Sequence, residues 1–375
     1  MSAQATVSAA RSRGAGLLRS VGWPRMNPWQ AAIVCVLAAL LPLTLSSSFW
    51  LGSLTLALIW MVLNMSWNLV LGYSGIWNFG QLAIYAIGGY GAAIASDRYQ
   101  LPAVVGLLLG GIAAMLVSLA LAIPSLRLRG IYVSLLTFGF AEVVRLLIIT
   151  DKSGITGGPF GISDFAGFGI TSGGLTRART LYWIALAAVI VTALVMYVLI
   201  RSPLGTGLMA LRDNPALAAA RGISPRRYQS VSFGISGFFA GLAGGLYAYT
   251  YGVISPTVMG LGPMTLLVTM MVVGGLGTQT GPIVGTLVIT MISTRLEPYP
   301  EFRLISLSVI LLAIILLLPR GVVPVVGRLR SRLSSWVNAG SGGGTKKKRP
   351  PAKKRPPAKK RPPAKTGQAS VPDGG

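Results

Sequence analysis

Long apolar runs recur along this chain, separated by short stretches that hold most of its prolines and charges. A helix needs about 20 apolar residues to cross a bilayer, within a range of roughly 17–25. Runs near that length lie at 29–48, 51–71, 78–95, 103–124, 131–150, 181–200, 231–251 and 304–319. A further apolar region, 261–294, is too long for one ordinary crossing. It contains GGLGTQTGP at 274–282, where four glycines and a proline predict a turn between two short helices. The pattern predicts an all-α integral membrane protein of about ten transmembrane helices, some short or broken.

The distribution of charge supports that count. With ten spans, the loops on one side are 1–28, 72–77, 125–130, 201–230, 274–282 and 320–375. Ahead of residue 345 they hold 15 Lys/Arg, against six in the loops opposite (Arg98, Lys152, Arg177, Arg179, Arg295 and Arg303). Basic loops stay cytoplasmic, so both termini are expected there. Nine spans would send the basic C-terminus outside. Composition agrees: 53% of residues are hydrophobic and 11% charged, where soluble proteins carry about 25% charged. The chain has no histidine, which excludes histidine acid–base chemistry and histidine metal sites. No metal site is expected. The single cysteine, Cys35, lies in an apolar run and cannot form an intramolecular disulfide.

Three regions follow: a basic segment at 1–28, a membrane-spanning body at 29–323 and a Pro/Lys-rich tail at 324–375. The first segment has no apolar core of its own, so no cleavable signal is expected. The tail repeats KKRPPA at 347–352, 353–358 and 359–364. Paired prolines and like charges predict an extended, disordered segment. It suits a solvated tail or an anionic lipid surface, where each basic residue contributes about 1 kcal/mol. It does not specify nucleic acid.

The loop 201–230 reads RSPLGTGLMALRDNPALAAARGISPRRYQS. Ser202-Pro203 and Asn214-Pro215 each place a capping side chain before a proline, the signature of a helix start. The second helix ends at Gly222, and Pro225 stops any continuation. Two short helices are therefore expected, joined at Arg212-Asp213-Asn214. They form either an orderly loop or a slim ridge, with Pro215, Ala218 and Ala219, that fits a groove on a cytoplasmic partner.

Within the spans, Glu142 and Arg145 are the only charges. Three residues apart on one helix, they can pair with each other. Asn64, Asn68, Ser74, Asn78 and Gln81 interrupt two apolar spans. Bare amides in lipid need partners, so these five either join helices or line a polar path. No Gly-Lys-Ser/Thr phosphate loop occurs. Any ATP that drives this chain is bound by another polypeptide, and no cofactor is expected on this one.

Four stretches together resemble the permease subunits of ATP-binding-cassette importers for branched-chain amino acids, the LivM-like branch. They are NMSWNLVLGYSGIWNFGQLAIYAIGGYGAA (64–93); LRLRGIYVSLLTFGFAEVVRLLI (126–148) with TGGPFGI (156–162); RSPLGTGLMALRDNPALAAARGI (201–223) through FGISGFFAGLAGGLYA (233–248) to ISP (254–256); and VVGGLGTQTGPIVG (272–285) with LLLPRGV (316–322). The resemblance implies that 201–230 is a cytoplasmic coupling helix pair docking on ATPase subunits, with Arg212, Asp213, Asn214, Pro215, Ala218, Ala219 and Gly222 at the contact. It also implies a second homologous permease, and a periplasmic or extracellular solute-binding protein that meets the outer loop 151–180. The permease itself would perform no bond chemistry. The loop departs from the family pattern in having Ala216-Leu217, rather than an acid, before Ala218-Ala219. A permease for urea or short amides, and a stand-alone secondary carrier, are the rival expectations.

Overall fold

A computed structural model of the chain describes residues 28–128, 130–165, 167–169 and 173–317. The basic segment ahead of residue 28 and the KKRPPA tail lie outside the described residues. The helices are α1 (Pro28–Thr44), α2 (Ser48–Asn68), α3 (Gln81–Asp97), α4 (Ala103–Ser125), α5 (Ile131–Ile149) and α6 (Gly174–Arg201). Then come the short α7 (Pro203–Asp213) and α8 (Pro215–Ala220), followed by α9 (Pro225–Tyr251), α10 (Leu261–Gly274), α11 (Gly281–Arg295) and α12 (Pro300–Leu317). The last turn of α2 widens into a π-turn, Leu69–Tyr73.

Among the described residues, five helices are long and apolar enough to cross a membrane: α2 with its π-turn, α4, α5, α6 and α9. The chain is a helical, multi-pass membrane protein. The remaining apolar segments also carry helices, but shorter ones. Helix α10, at 14 residues, rises about 21 Å at 1.5 Å per residue, short of the roughly 30 Å of hydrocarbon.

Two details differ from the sequence pattern. Helix α6 starts at Gly174, ahead of its apolar run, and takes Arg177 and Arg179 onto the helix. Backbone bonding continues past the point where apolar side chains stop. In addition, β1 (Ile162–Ser163) pairs antiparallel with β2 (Val253–Ile254), a two-residue ladder between the 150–173 loop and the link after α9. Neither segment is long enough to leave an alternating pattern.

Helix α2 is the centre of the body. It is buried along most of its length, and α6, α9, α10 and α11 pack around it. Beside it, α3, α4 and α9 approach backbone to backbone. A β-carbon on Gly88 of α3 would run into Gly241 of α9, and one on Gly110 of α4 would run into the Gly88 carbonyl. One on Gly244 would meet the Tyr85 carbonyl. Small residues are what permit such approaches in lipid, where no water drives helices together. Hydrogen bonds then fix the register. Tyr249 Oη lies 2.7 Å from Ser96 Oγ and donates to the Ala92 carbonyl at 3.0 Å. Ser118 Oγ donates to the Phe233 carbonyl at 2.7 Å.

Helix α1 is secured differently. Pro42 lies inside it and has no N–H for the Ala38 carbonyl four residues back. The Tyr182 hydroxyl of α6 donates to that carbonyl at 2.9 Å, and Arg179 Nε donates to the Pro42 carbonyl at 3.0 Å.

Gly88→Ala is expected to lower stability by about 1–3 kcal/mol, the cost of overpacking a filled interior. Gly52→Ala, where an added β-carbon meets nothing within 4 Å, should leave it unchanged. Thermal melting of the two variants in detergent checks the pair; equal melting points would refute the packing argument.

Candidate functional site

The helix pair α7–α8 is built from its caps. Ser202 Oγ accepts from the Leu204 amide at 3.2 Å, and Asn214 Oδ1 accepts from the Leu217 amide at 3.0 Å. Gly222, at φ +83°, lies just beyond the second helix. Leu208 and Leu211 of α7 are fully buried in the body. Ala218 also faces inward, whereas Pro215, Ala216, Leu217, Ala219 and Ala220 are exposed. The outer surface is therefore slim, apolar and anchored from beneath. Arg212 and Asp213 form an ion pair at 3.1 Å at the joint. The Arg212 side chain also turns inward, and its Nη1 donates to the Gly72 carbonyl at 2.7 Å.

The five polar residues of 64–81 are all buried, but the structure does not gather them into one wall. Asn64 and Asn68, one turn apart on α2, face α10 and α11. Asn64 Nδ2 donates to Thr286 Oγ1 at 3.0 Å. Asn68 Nδ2 donates to the Thr278 carbonyl at 2.7 Å, while its Oδ1 accepts from the Gly277 amide at 2.9 Å. Asn78 and Gln81 lie at the start of α3. Asn78 Oδ1 accepts from the Gly80 amide at 3.0 Å. Gln81 Nε2 donates to Ser66 Oγ at 3.1 Å and Ser236 Oγ at 3.2 Å, joining α3 to α2 and α9. Asn64 Oδ1 and Ser74 Oγ are buried with no protein partner among the described residues. A small cleft beside this cluster is lined by Met65, Asn68, Leu69, Met196 and Gln279.

The partners of these groups were not singled out by the sequence. Gly72, Gly277 and Thr278 act through backbone atoms, which leave no side-chain signature. Ser66, Ser236 and Thr286 are small polar residues in apolar runs, and such residues more often bond to their own helix.

On α5, Arg145 Nη2 and Glu142 Oε1 pair at 2.8 Å, with side chains 34% and 44% exposed. The same helix leaves Ile131, Leu135 and Leu147 more than half exposed, and nothing lies within 4 Å of a β-carbon added at Gly139. Beyond α5, the Asp151 carboxylate accepts from the Ser153 hydroxyl and amide and from the Thr156 amide and hydroxyl. Those bonds hold its pKa well below the usual carboxylate range. Further along, Ile162–Asp164 is stitched to the link after α9 by the β1–β2 ladder and by the Asp164 amide, which donates to the Gly252 carbonyl at 3.2 Å.

A family model described as branched-chain amino acid transport system / permease component matches residues 49–318. The high-affinity branched-chain amino acid transport system permease protein LivM of Escherichia coli (strain K12) is 31% identical over 294 residues, covering 72% of this chain and 69% of the relative. The probable branched-chain amino acid transport permease protein LivM of Methanocaldococcus jannaschii is 25% identical over 323 residues, covering 72% of this chain and 93% of the relative. The LivH permease protein of the high-affinity system in Salmonella typhimurium is 26% identical over 156 residues, covering 40% of this chain and 49% of the relative. No solved structure matches the chain significantly.

The Asp151 bonds set a pH dependence. A carboxylate whose folded pKa is depressed contributes order in full above its unfolded value, near 3.9, and loses it as pH falls through the folded one. Exchange protection at the Ser153 and Thr156 amides should therefore persist from pH 7 to about 4. Asp151→Asn should cut that protection about tenfold at every pH in this window. Unaltered protection in the variant would show that the carboxylate does not order the loop.

Proposed function

The chain belongs to the family of branched-chain amino acid transport permease components, and from that premise we propose that it is one permease half of an ATP-driven importer in a bacterial inner membrane. The observation that carries the reading is the α7–α8 pair. It is capped at both starts, anchored by buried Leu208 and Leu211, and slim on its exposed side. A ridge of this kind fits a groove on a soluble partner, and an ATPase subunit is the partner that would supply the energy. In this reading the short helices α1, α3, α10, α11 and α12 join the five long ones to complete ten spans, with both termini cytoplasmic. A periplasmic or extracellular binding protein delivers a branched-chain amino acid to the outer loops, and the segment 151–180 is its contact.

The second permease covers α5. Charged side chains facing hydrocarbon cost about 2.5–3.5 kcal/mol each at a helix centre on insertion scales. The half-exposed Glu142–Arg145 pair, with the open face at Gly139, suits a protein neighbour and a hydrated gap better than lipid. The permease similar to part of this chain, LivH, supports a homologous pair. Asn64, Asn68, Ser74, Asn78 and Gln81 supply polar groups at separate points along the solute's path rather than one wall. The support for this is the buried, unpaired Asn64 Oδ1 and Ser74 Oγ, which a polar solute or water would satisfy.

Closing the ATPases would push α7–α8 and shift the bundle between outward and inward states. Purified from its own membrane, the chain should bring ATPase subunits and a second permease with it. In proteoliposomes with the binding protein, leucine, isoleucine or valine uptake should require ATP. Ala219→Trp, on the exposed face, should weaken ATPase association at least about tenfold, the equivalent of 1.4 kcal/mol. A chain that purifies alone and transports without ATP is a carrier, and uptake of urea in place of these amino acids would change the substrate.

A further inference from the structure

Three backbone segments meet at one side chain. Helix α2 and its π-turn run 26 residues to Tyr73. The last carbonyls of a helix lack intrahelical partners and carry partial negative charge. The Gly72 carbonyl is one of these, and Arg212 Nη1 donates to it at 2.7 Å across 140 residues of sequence. The site is shaped for that arginine. Gly75 has φ +74°, and a β-carbon there would lie 2.6 Å from Arg212 Cγ. Gly277, in the α10–α11 turn, has φ +70°, and a β-carbon there would lie 3.0 Å from both Arg212 Nη1 and the Gly72 carbonyl oxygen. Asn68, one turn before Gly72, holds the same turn at both the Gly277 amide and the Thr278 carbonyl.

We propose that Arg212 is the positioning residue that transmits movement of the α7–α8 pair to the inner end of α2 and, through Asn68, to the α10–α11 turn. The inference rests on the importer reading and deepens it: Arg212 acts toward the membrane body, not toward the ATPase. Its neighbours fix it from both sides. Asp213 Oδ1 accepts from Arg212 Nε at 3.1 Å, so one guanidinium is tied to the helix joint and to the Gly72 carbonyl at once. Buried Leu208 and Leu211 carry α7 as a rigid piece. A push on the pair therefore acts on Gly72 through a charge-assisted bond. Gly72 and Gly277 lie in direct contact, since a β-carbon on Gly72 would meet the Gly277 amide nitrogen at 2.5 Å. The link from α2 to the turn is thus packed as well as hydrogen-bonded, the physical continuity that coupling between sites requires.

The test uses the complete complex with its ATPases. Hydrogen exchange is measured with and without a non-hydrolysable ATP analogue. In the wild type, changes at 203–222 should be accompanied by changes at 69–76 and 275–280. In Arg212→Ala, the changes at 203–222 should remain while the distant ones disappear. Uptake per ATP hydrolysed in proteoliposomes should fall at least about tenfold, with ATPase association intact. Arg212→Lys, which keeps the charge but not the planar fork, should fall between the two. Distant changes that persist in Arg212→Ala overturn the proposal, as does a wild type whose changes stay within 203–222. Loss of ATPase association in both variants would also overturn it, because Arg212 would then face the partner. A wild-type chain that purifies without ATPases refutes the importer reading itself, and the transmission role with it.

Discussion

The Gly72 carbonyl has left the regular ladder of α2, and inside a membrane body such a group needs a partner from elsewhere in the chain. Arg212 provides it. The same requirement recurs throughout the molecule. Pro42 withholds a donor from the Ala38 carbonyl, and Tyr182 of α6 supplies one. Gln81 at the start of α3 finds Ser66 on α2 and Ser236 on α9. Asn68 closes on the α10–α11 turn. Each exception to helical bonding is a place where two or three helices become fixed to one another. In a chain with 53% hydrophobic residues, these few polar contacts give direction to packing that apolar contacts leave non-specific.

The glycine contacts serve the complementary purpose. Where Gly88, Gly110, Gly241 and Gly244 meet neighbouring backbone, α3, α4 and α9 lie too close for side chains between them. Dispersion then acts over long lengths of backbone. Helix α9 also begins at Pro225, directly after the α7–α8 pair. The group of helices that meet backbone to backbone therefore starts where the α7–α8 pair ends, while the α10–α11 pair meets Arg212 of that pair through its turn.

The permease reading depends on both features. An importer half needs an outer loop that holds its shape, a cytoplasmic ridge that holds a partner, and a connection between them. Residues 151–164 are ordered by the Asp151 carboxylate and the two-residue β ladder. The ridge is ordered by its caps. Helix α2 runs at the centre of the body and ends against Arg212 at the ridge. Helix α5 is exposed along most of its length. Its hydrophobic side chains suit lipid, but the Glu142–Arg145 pair suits a neighbour, so its role is read from two charges rather than from its length.

The sequence by itself determined the positions of the apolar segments, the turn at 274–282, and both helix starts at Ser202 and Asn214. Each is a local property: length, glycine and proline content, or a cap within three residues. It also determined the family, through four stretches whose order and spacing match. It did not determine which way Arg212 points, because the Gly72 carbonyl lies 140 residues away and every residue has a carbonyl. Nor did it separate Asn64 and Asn68 from Asn78 and Gln81, which a count along the chain puts together and the fold turns toward different helices. Only the tertiary structure decided these, since a backbone partner has no residue type and a helix face acquires a neighbour only when the helices pack.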